Sequence, residues 1–277
     1  MATIGRRNTL EVVKIVDFGV YLDGEQLDEI LLPKRYVPKD CAVGDMVDVF
    51  IYLDSDDKLI ATTLNPKAML NEVAKLKVVS VNEVGAFLDW GLPKDLLVPF
   101  GEQHVKMEEG RSYNVYIYQH QETHRIAASS KLNRFVGKTE ADYRSGDPVE
   151  LFVTDRTDIG YSAVINNAHW GVLFEEDLYR PLRKGQKING YIKRVREDGK
   201  IDLSLQKVGY QKVDDLSRRV MNVLRAEGGY LALSDKSPAQ AIHDKFGVSK
   251  NAYKMTIGAL YKQRKITIDR EGIKLID

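Results

Sequence analysis

The strongest constraint on this chain is a set of intervals that recurs three times along it. Three glycines sit in related stretches: Val16-Asp17-Phe18-Gly19-Val20-Tyr21-Leu22, Asn82-Glu83-Val84-Gly85-Ala86-Phe87-Leu88 and Thr157-Asp158-Ile159-Gly160-Tyr161-Ser162-Ala163. Fourteen positions after each glycine stands Pro33, Pro99 or Phe174, and 25 positions after it another glycine, Gly44, Gly110 or Gly185. At 41 positions comes Ile60, Ile126 or Ile201. The copies start 66 and 75 residues apart, so each unit has the size of one small barrel.

Within each unit the residues favour strands. Met46 to Ile51, Tyr113 to Tyr118 and Lys187 to Ile192 are rich in β-branched and aromatic residues, and turn signals such as Asp54-Ser55-Asp56-Asp57 and Glu197-Asp198-Gly199 separate them. The shared glycine inside a strand pattern predicts a bend or bulge at a barrel corner. About five antiparallel strands per unit give a closed or nearly closed small barrel.

From about Lys207 the period changes. Leu216, Val220, Val223 and Leu224 have helical spacing, and Gly228-Gly229 ends that helix. Ser237 is expected to cap a second helix, Ala239 to Phe246, with Pro238 in its first turn and Gly247 as its stop. Ser249 caps a third, running to about Lys262 with Tyr253, Ile257 and Leu260 on one face. Ile266 to Ile276 reads as two strands around a tight turn. Helix, helix, turn, helix, hairpin is the order of a winged helix, with Phe246-Gly247-Val248-Ser249 as its helix-turn-helix link. The expected fold is mainly β with a C-terminal α+β domain: three tandem five-stranded OB-fold barrels over residues 1–67, 68–135 and 136–206, then a winged helix over 207–277.

Charge sharpens this division. The 277 residues carry a net charge of only +1, which taken whole argues against nucleic-acid affinity. The first three segments hold −4, 0 and −1, and residues 207–277 hold +6. The near-neutral total is a cancellation between modules. A hydrophobic content of 43% with 29% charged residues excludes wholesale disorder. Cys41 is the single cysteine, so no disulfide forms within the chain and a reducing compartment is expected. Met1 to Leu10 has no apolar signal core, and no apolar run is long enough to span a membrane. The expected location is cytoplasmic.

The three repeats resemble the S1 RNA-binding domain, an OB-fold barrel. Phe18-Gly19-Val20-Tyr21, Ile30-Leu31-Leu32-Pro33, Gly44-Asp45 and Lys200-Ile201-Asp202-Leu203-Ser204 carry the resemblance. Three such units followed by a winged helix are similar to the conserved virulence factor B family of bacterial RNA-binding regulators. Oligonucleotide binding on a barrel face needs flat side chains on which bases stack, and cations along the phosphate track. The resemblance places the stacking residues beside the repeated glycine and a basic residue on the last strand. The first unit then offers Phe18 and Tyr21 but has Leu59 at the basic position, with Lys58 next to it. The second offers Phe87 and Arg125, with Val84 at the first aromatic position and Trp90 as a compensating ring. The third has Ile159 and Ser162 at both aromatic positions, Tyr161 beside them, and keeps Lys200. Lys34-Arg35 and Lys193-Arg194, with Arg196, are further basic clusters. On the third helix of the winged domain Lys250, Lys254, Tyr261 and Lys265 follow one face, the position from which such folds contact nucleic acid.

Motifs for nucleotide phosphates, dinucleotides and serine nucleophiles are absent from the sequence. His120 and His124 fall at an expected hairpin turn with no carboxylate trio to complete a metal site. The expectation is a non-catalytic RNA-binding protein without cofactor, metal or small-molecule substrate, whose partners are single-stranded or loop RNA and, through it, the ribosome or other RNA–protein machinery. The same residues also fit a protein-interaction scaffold on ribosome or RNA polymerase, and a DNA-binding transcription regulator using the winged helix.

Overall fold

A computed structural model describes residues 1–178, 181–205 and 210–276. The first barrel is formed by β1 (Arg7–Val16), β2 (Gly19–Asp23), β3 (Glu29–Pro33), β4 (Met46–Leu53) and β5 (Leu59–Thr62), closed in the order β1-β2-β3-β5-β4. The second comprises β6 (Val73–Val81), β7 (Gly85–Asp89), β8 (Leu96–Pro99), β9 (Ser112–Gln119) and β10 (Ile126–Ser129). Its order is β10-β9-β6-β7-β8, so no hydrogen-bond ladder joins β8 to β10 and the barrel is nearly closed. The third repeats the closed order with β11 (Pro148–Thr157), β12 (Gly160–Ile165), β13 (His169–Phe174), β15 (Ile201–Ser204) and β14 (Lys187–Val195).

The 14-residue interval is a hydrogen-bond register in every barrel. Fourteen positions separate Gly19 from Pro33, Gly85 from Pro99 and Gly160 from Phe174, and each pair lies directly opposite across an antiparallel ladder. The glycine is required by close approach. A Cβ there would sit 2.2, 2.2 and 2.0 Å from the carbonyl oxygens of Leu32, Val98 and Leu173. The bulge expected at this glycine lies instead in the preceding strand, where register shifts between Val12 and Lys14, Val78 and Ser80, and Val153 and Arg156. The second glycine of each unit turns the chain with φ of 96°, 80° and 83° and donates its N–H to Val12, Val78 or Val153 at 2.7–2.9 Å. Ile60, at the third interval, is the residue through which β5 pairs in parallel with β3, opposite Leu31.

The first barrel has its own core, centred on Leu22, Ile30, Leu32 and Ile51. Its Phe50 and Tyr52 point the other way and join Trp90, Leu88 and Ile117 in the core of the second barrel. Val73 and Tyr116 of the second barrel pack with Phe152 and Val164 of the third around Leu132 and Val136 of the connecting segment. By internal contacts the chain divides into two compact units: residues 1–142, 149–189 and 196–202 in one, and 143–148, 190–195 and 203–277 in the other.

In the C-terminal region α1 (Tyr210–Ala226), α2 (Ala239–Phe246) and α3 (Lys250–Lys262) pack around Leu216, Val220, Ile242, Tyr253 and Ile257. A small sheet orders β16 (Tyr230–Leu231), β18 (Ile273–Leu275) and β17 (Ile266–Ile268). The winged helix is therefore present, with one strand, β16, more than the sequence predicts. Gly247 ends α2 in the left-handed conformation at φ 66°, and the Ser249 hydroxyl accepts the Ala252 N–H at the start of α3. Ser237 does not cap α2. Pro238 occupies that position with no side-chain hydrogen bond, and the Ser237 hydroxyl accepts instead from Ser234 N at 2.8 Å. The expected boundary at residues 206 and 207 lies outside the described residues.

Candidate nucleic-acid interface

In the first barrel the residues around Gly19 form one surface. Phe18 is 58% exposed, Tyr21 is half-buried, and their rings meet edge to face with centroids 6.4 Å apart. The bulge in β1 places Lys14 opposite Tyr21 in the ladder, and its Nζ stands 5.8 Å from the centre of that ring. Lys34 donates its backbone N–H to the Phe18 carbonyl at 2.9 Å and so begins a short 3-10 turn beside the aromatic pair. Arg35 follows on that turn with its guanidinium 4.7 Å from the Tyr36 ring. Leu59, at the position where a basic residue is expected, packs against the barrel core, while Lys58 is exposed on the adjoining turn.

The second barrel differs at the same positions. Val84 is exposed and Phe87 half-buried, opposite Leu97. Trp90 does not compensate for Val84. It is 3% exposed, meets Phe50 and Tyr52 of the first barrel edge on at 5.7 and 6.5 Å, and donates Nε1–H to the Lys94 carbonyl at 2.5 Å. At that burial it offers no ring face on which a base could stack. Arg125 is exposed but ion-paired with Asp57, from the β4–β5 turn of the first barrel. Phe100, absent from the sequence expectations, is 44% exposed and donates its N–H to the Val84 carbonyl at 3.4 Å. This is the contact that Lys34 makes with Phe18, and the residue after the repeated Pro is the signal that points to it.

In the third barrel Glu175 fills that slot, its N–H bonded to the Ile159 carbonyl at 3.1 Å and its carboxylate paired with Arg156 at 2.8 Å. Ile159 is exposed, Ser162 is half-buried and Tyr161 is buried in the barrel. Phe174 lies under the guanidinium of Arg196 at 5.6 Å, and Arg196 is fixed by the buried Asp202 at 2.8 Å. Lys200 is exposed and pairs with Asp198 at 3.0 Å. Lys193 and Arg194 lie in β14, where the Lys193 carbonyl accepts the Ser145 hydroxyl at 2.8 Å.

On the winged helix, Lys254 and Tyr261 share an exposed face of α3 with Met255 and Lys262, Tyr261 being 56% exposed. Lys250 is half-buried, with Nζ 3.4 Å from the Lys236 carbonyl. Lys265 falls beyond the end of α3, in the exposed turn before β17. Tyr253 belongs to the core: its ring stacks on Phe246 at 5.4 Å, its hydroxyl donates to the Leu233 carbonyl, and burial pushes its phenol pKa upward. His120 and His124 lie in the β9–β10 turn, and among the described residues no cluster of metal-ligating side chains forms. No helix among them is long and apolar enough to cross a membrane.

The S1 domain family model matches residues 4–64 and 72–130, the first and second barrels, and the CvfB-like winged helix domain model matches 218–275. Both are nucleic-acid-binding domain types. YitL of Bacillus subtilis (strain 168) is 28% identical over 95% of this chain and 90% of its own length. Conserved virulence factor B of Staphylococcus saprophyticus is 24% identical over 98% of this chain and 94% of that protein. Among solved structures, a multidomain protein with nucleic acid binding domains from Streptococcus pneumoniae TIGR4 aligns over 99% of this chain and 98% of its own, at 23% identity and a TM-score of 0.41.

Proposed function

The chain belongs to the conserved virulence factor B family, S1 domains joined to a CvfB-like winged helix domain, and from that premise we propose a non-catalytic RNA-binding protein that acts on gene expression after transcription. Its ligand is single-stranded RNA or the loops of folded RNA, met in the cytoplasm and on RNA–protein machinery such as the ribosome. The observation that carries this reading is the Phe18–Tyr21 pair, two aromatic rings at one surface with Lys14 and Lys34 beside them. A ring stacks on any unpaired base for about 1–3 kcal/mol, whereas the bases of a duplex are already stacked on one another. The barrels carry a combined charge of −5, so long-range attraction of a polyanion falls to the C-terminal segment with its +6. Lys254 and Tyr261 supply a contact surface there. The staphylococcal relatives carry the name conserved virulence factor B, which supports a role in virulence.

The test is binding of a fluorescently labelled single-stranded RNA of mixed sequence, followed by anisotropy over a range of salt. Phe18→Ala with Tyr21→Ala is expected to weaken binding roughly 10- to 100-fold, with an unchanged salt slope because aromatic contacts release no counterions. A duplex of the same length is expected to bind less well than the single strand. Retained affinity both in that double variant and in Lys250→Ala/Lys254→Ala overturns the named surfaces. Peptide-level mapping of crosslinks to bound RNA then shows which module makes the contacts.

A further inference from the structure

We propose that the groove between the first and second barrels is a nucleotide-binding cleft, in which a backbone phosphate takes the place of the Asp57 carboxylate beside Lys94 and Arg125. The inference rests on the single-strand reading above and adds to it a site that needs two barrels, with Lys94 and the displaced Asp57 as its parts.

The groove encloses about 490 Å³ between the β4–β5 turn of the first barrel and the β7–β8 face of the second. Val84, Phe87, Pro93 and Leu97 give it apolar and aromatic walls of the kind on which a base rests. Lys94 and Arg125 bring two cations to it. Both are turned toward one carboxylate: Arg125 donates to Asp57 Oδ2, and Lys94 Nζ stands 3.9 Å from Asp57 Oδ1. Lys94 is held in place by the carbonyls of Leu53 at 3.1 Å and of Asp54. The neighbouring acid Asp54 is occupied by its own turn, since its Oδ1 accepts from Asp56 N at 2.9 Å and Lys58 N at 3.0 Å. Asp95 also lines the groove, and burial, with Asp89 nearby, raises its pKa.

One anion between two cations, over an aromatic floor, has the charge pattern of a bound nucleotide with the carboxylate standing in for the phosphate. The stand-in is weakly held. Asp57 and Arg125 are 40% and 56% exposed, and ion pairs of that exposure add little stability. A phosphodiester offers the guanidinium two oxygens and a bidentate bond, and brings with it a base for Phe87 and a chain that continues to other contacts. Asp57 thereby acts as an internal competitor that sets how tightly the second barrel takes RNA.

The test uses the full chain and the labelled single-stranded RNA described above. Asp57 adopts φ 60°, which asparagine tolerates, so Asp57→Asn removes the charge and keeps the turn. This variant is expected to bind about three- to tenfold more tightly than wild type, as expected when a competing carboxylate leaves two cations. Asp56→Asn changes the net charge equally on the same turn and is expected to shift affinity less than about twofold. In an Arg125→Gln background, itself weaker than wild type, Asp57→Asn is expected to lose its gain. Equal effects of Asp57→Asn and Asp56→Asn, no gain in Asp57→Asn, or a gain that survives Arg125→Gln each overturns the cleft while leaving the Phe18–Tyr21 surface standing. If wild type and all variants fail to bind the single strand, the functional reading falls and the cleft with it.

Discussion

The first and third barrels close through the same strand order and present different faces. In the first, the residue bonded to the carbonyl beside the repeated glycine is Lys34, next to an exposed Phe18 and a half-buried Tyr21. In the third it is Glu175, paired with Arg156, next to Ile159 and Ser162. The contacts that close a barrel are backbone contacts, and they leave the outward side chains free to vary. A repeat in sequence is therefore evidence of a repeated fold, and its binding chemistry has to be read position by position. The second barrel sits between the two: Phe100 fills the slot, while Trp90 is drawn into the shared core and Arg125 into an ion pair.

The largest expected effect tests what the barrels share. Gly19→Ala and Gly160→Ala each set a Cβ about 2 Å from a backbone oxygen that cannot move without the strand, and each is expected to cost about 3 kcal/mol. Gly44→Ala meets open space and only an unfavourable φ, for about 1 kcal/mol. Thermal unfolding of the full chain measures all three, and a mild Gly160→Ala would show that the third barrel does not depend on the same register. The next effect tests what differs. Exchanging the slot residues, Lys34→Glu is expected to weaken single-stranded RNA binding several-fold and flatten its salt dependence, and Glu175→Lys, which also frees Arg156, to strengthen binding by a smaller factor, since Ile159 and Ser162 beside it give no aromatic ring for a base. Equal and opposite changes would mean that both faces contact RNA alike. The smallest effect concerns the winged helix. Lys254→Ala is expected to lower the salt slope by about 0.7 and to weaken binding of all sequences uniformly.

Much of the fold is legible in the sequence because its signals are short-range. The positions of α2 and α3 follow from Gly247, Ser249 and the spacing of Tyr253, Ile257 and Leu260. The cap of α2 is misread, because the Ser237 hydroxyl accepts from Ser234 N, and two plausible N–H donors to that hydroxyl cannot be ranked without coordinates. Of the candidate binding residues, Phe18 and Tyr21 are placed together as their flanking of Gly19 suggests. Trp90 shows where the sequence leaves a choice: an indole before Gly91 could stack a base or cap the barrel, and Phe50 and Tyr52 close over it. Phe100 is missed although it follows Pro99 as Lys34 follows Pro33, and Lys94 because no repeated position marks it.

The sequence by itself determines three barrels and a winged helix, since in every barrel the 14-residue interval is a ladder register and the glycine at 25 makes a backbone hydrogen bond, both enforced by local turns and close approach. Only the tertiary structure decides which side chains remain on the surface. Asp57 reaches Arg125 across 68 residues of chain, and Trp90 is buried by residues of another barrel. Such pairings arise when modules pack against one another, and no periodicity within a module encodes them.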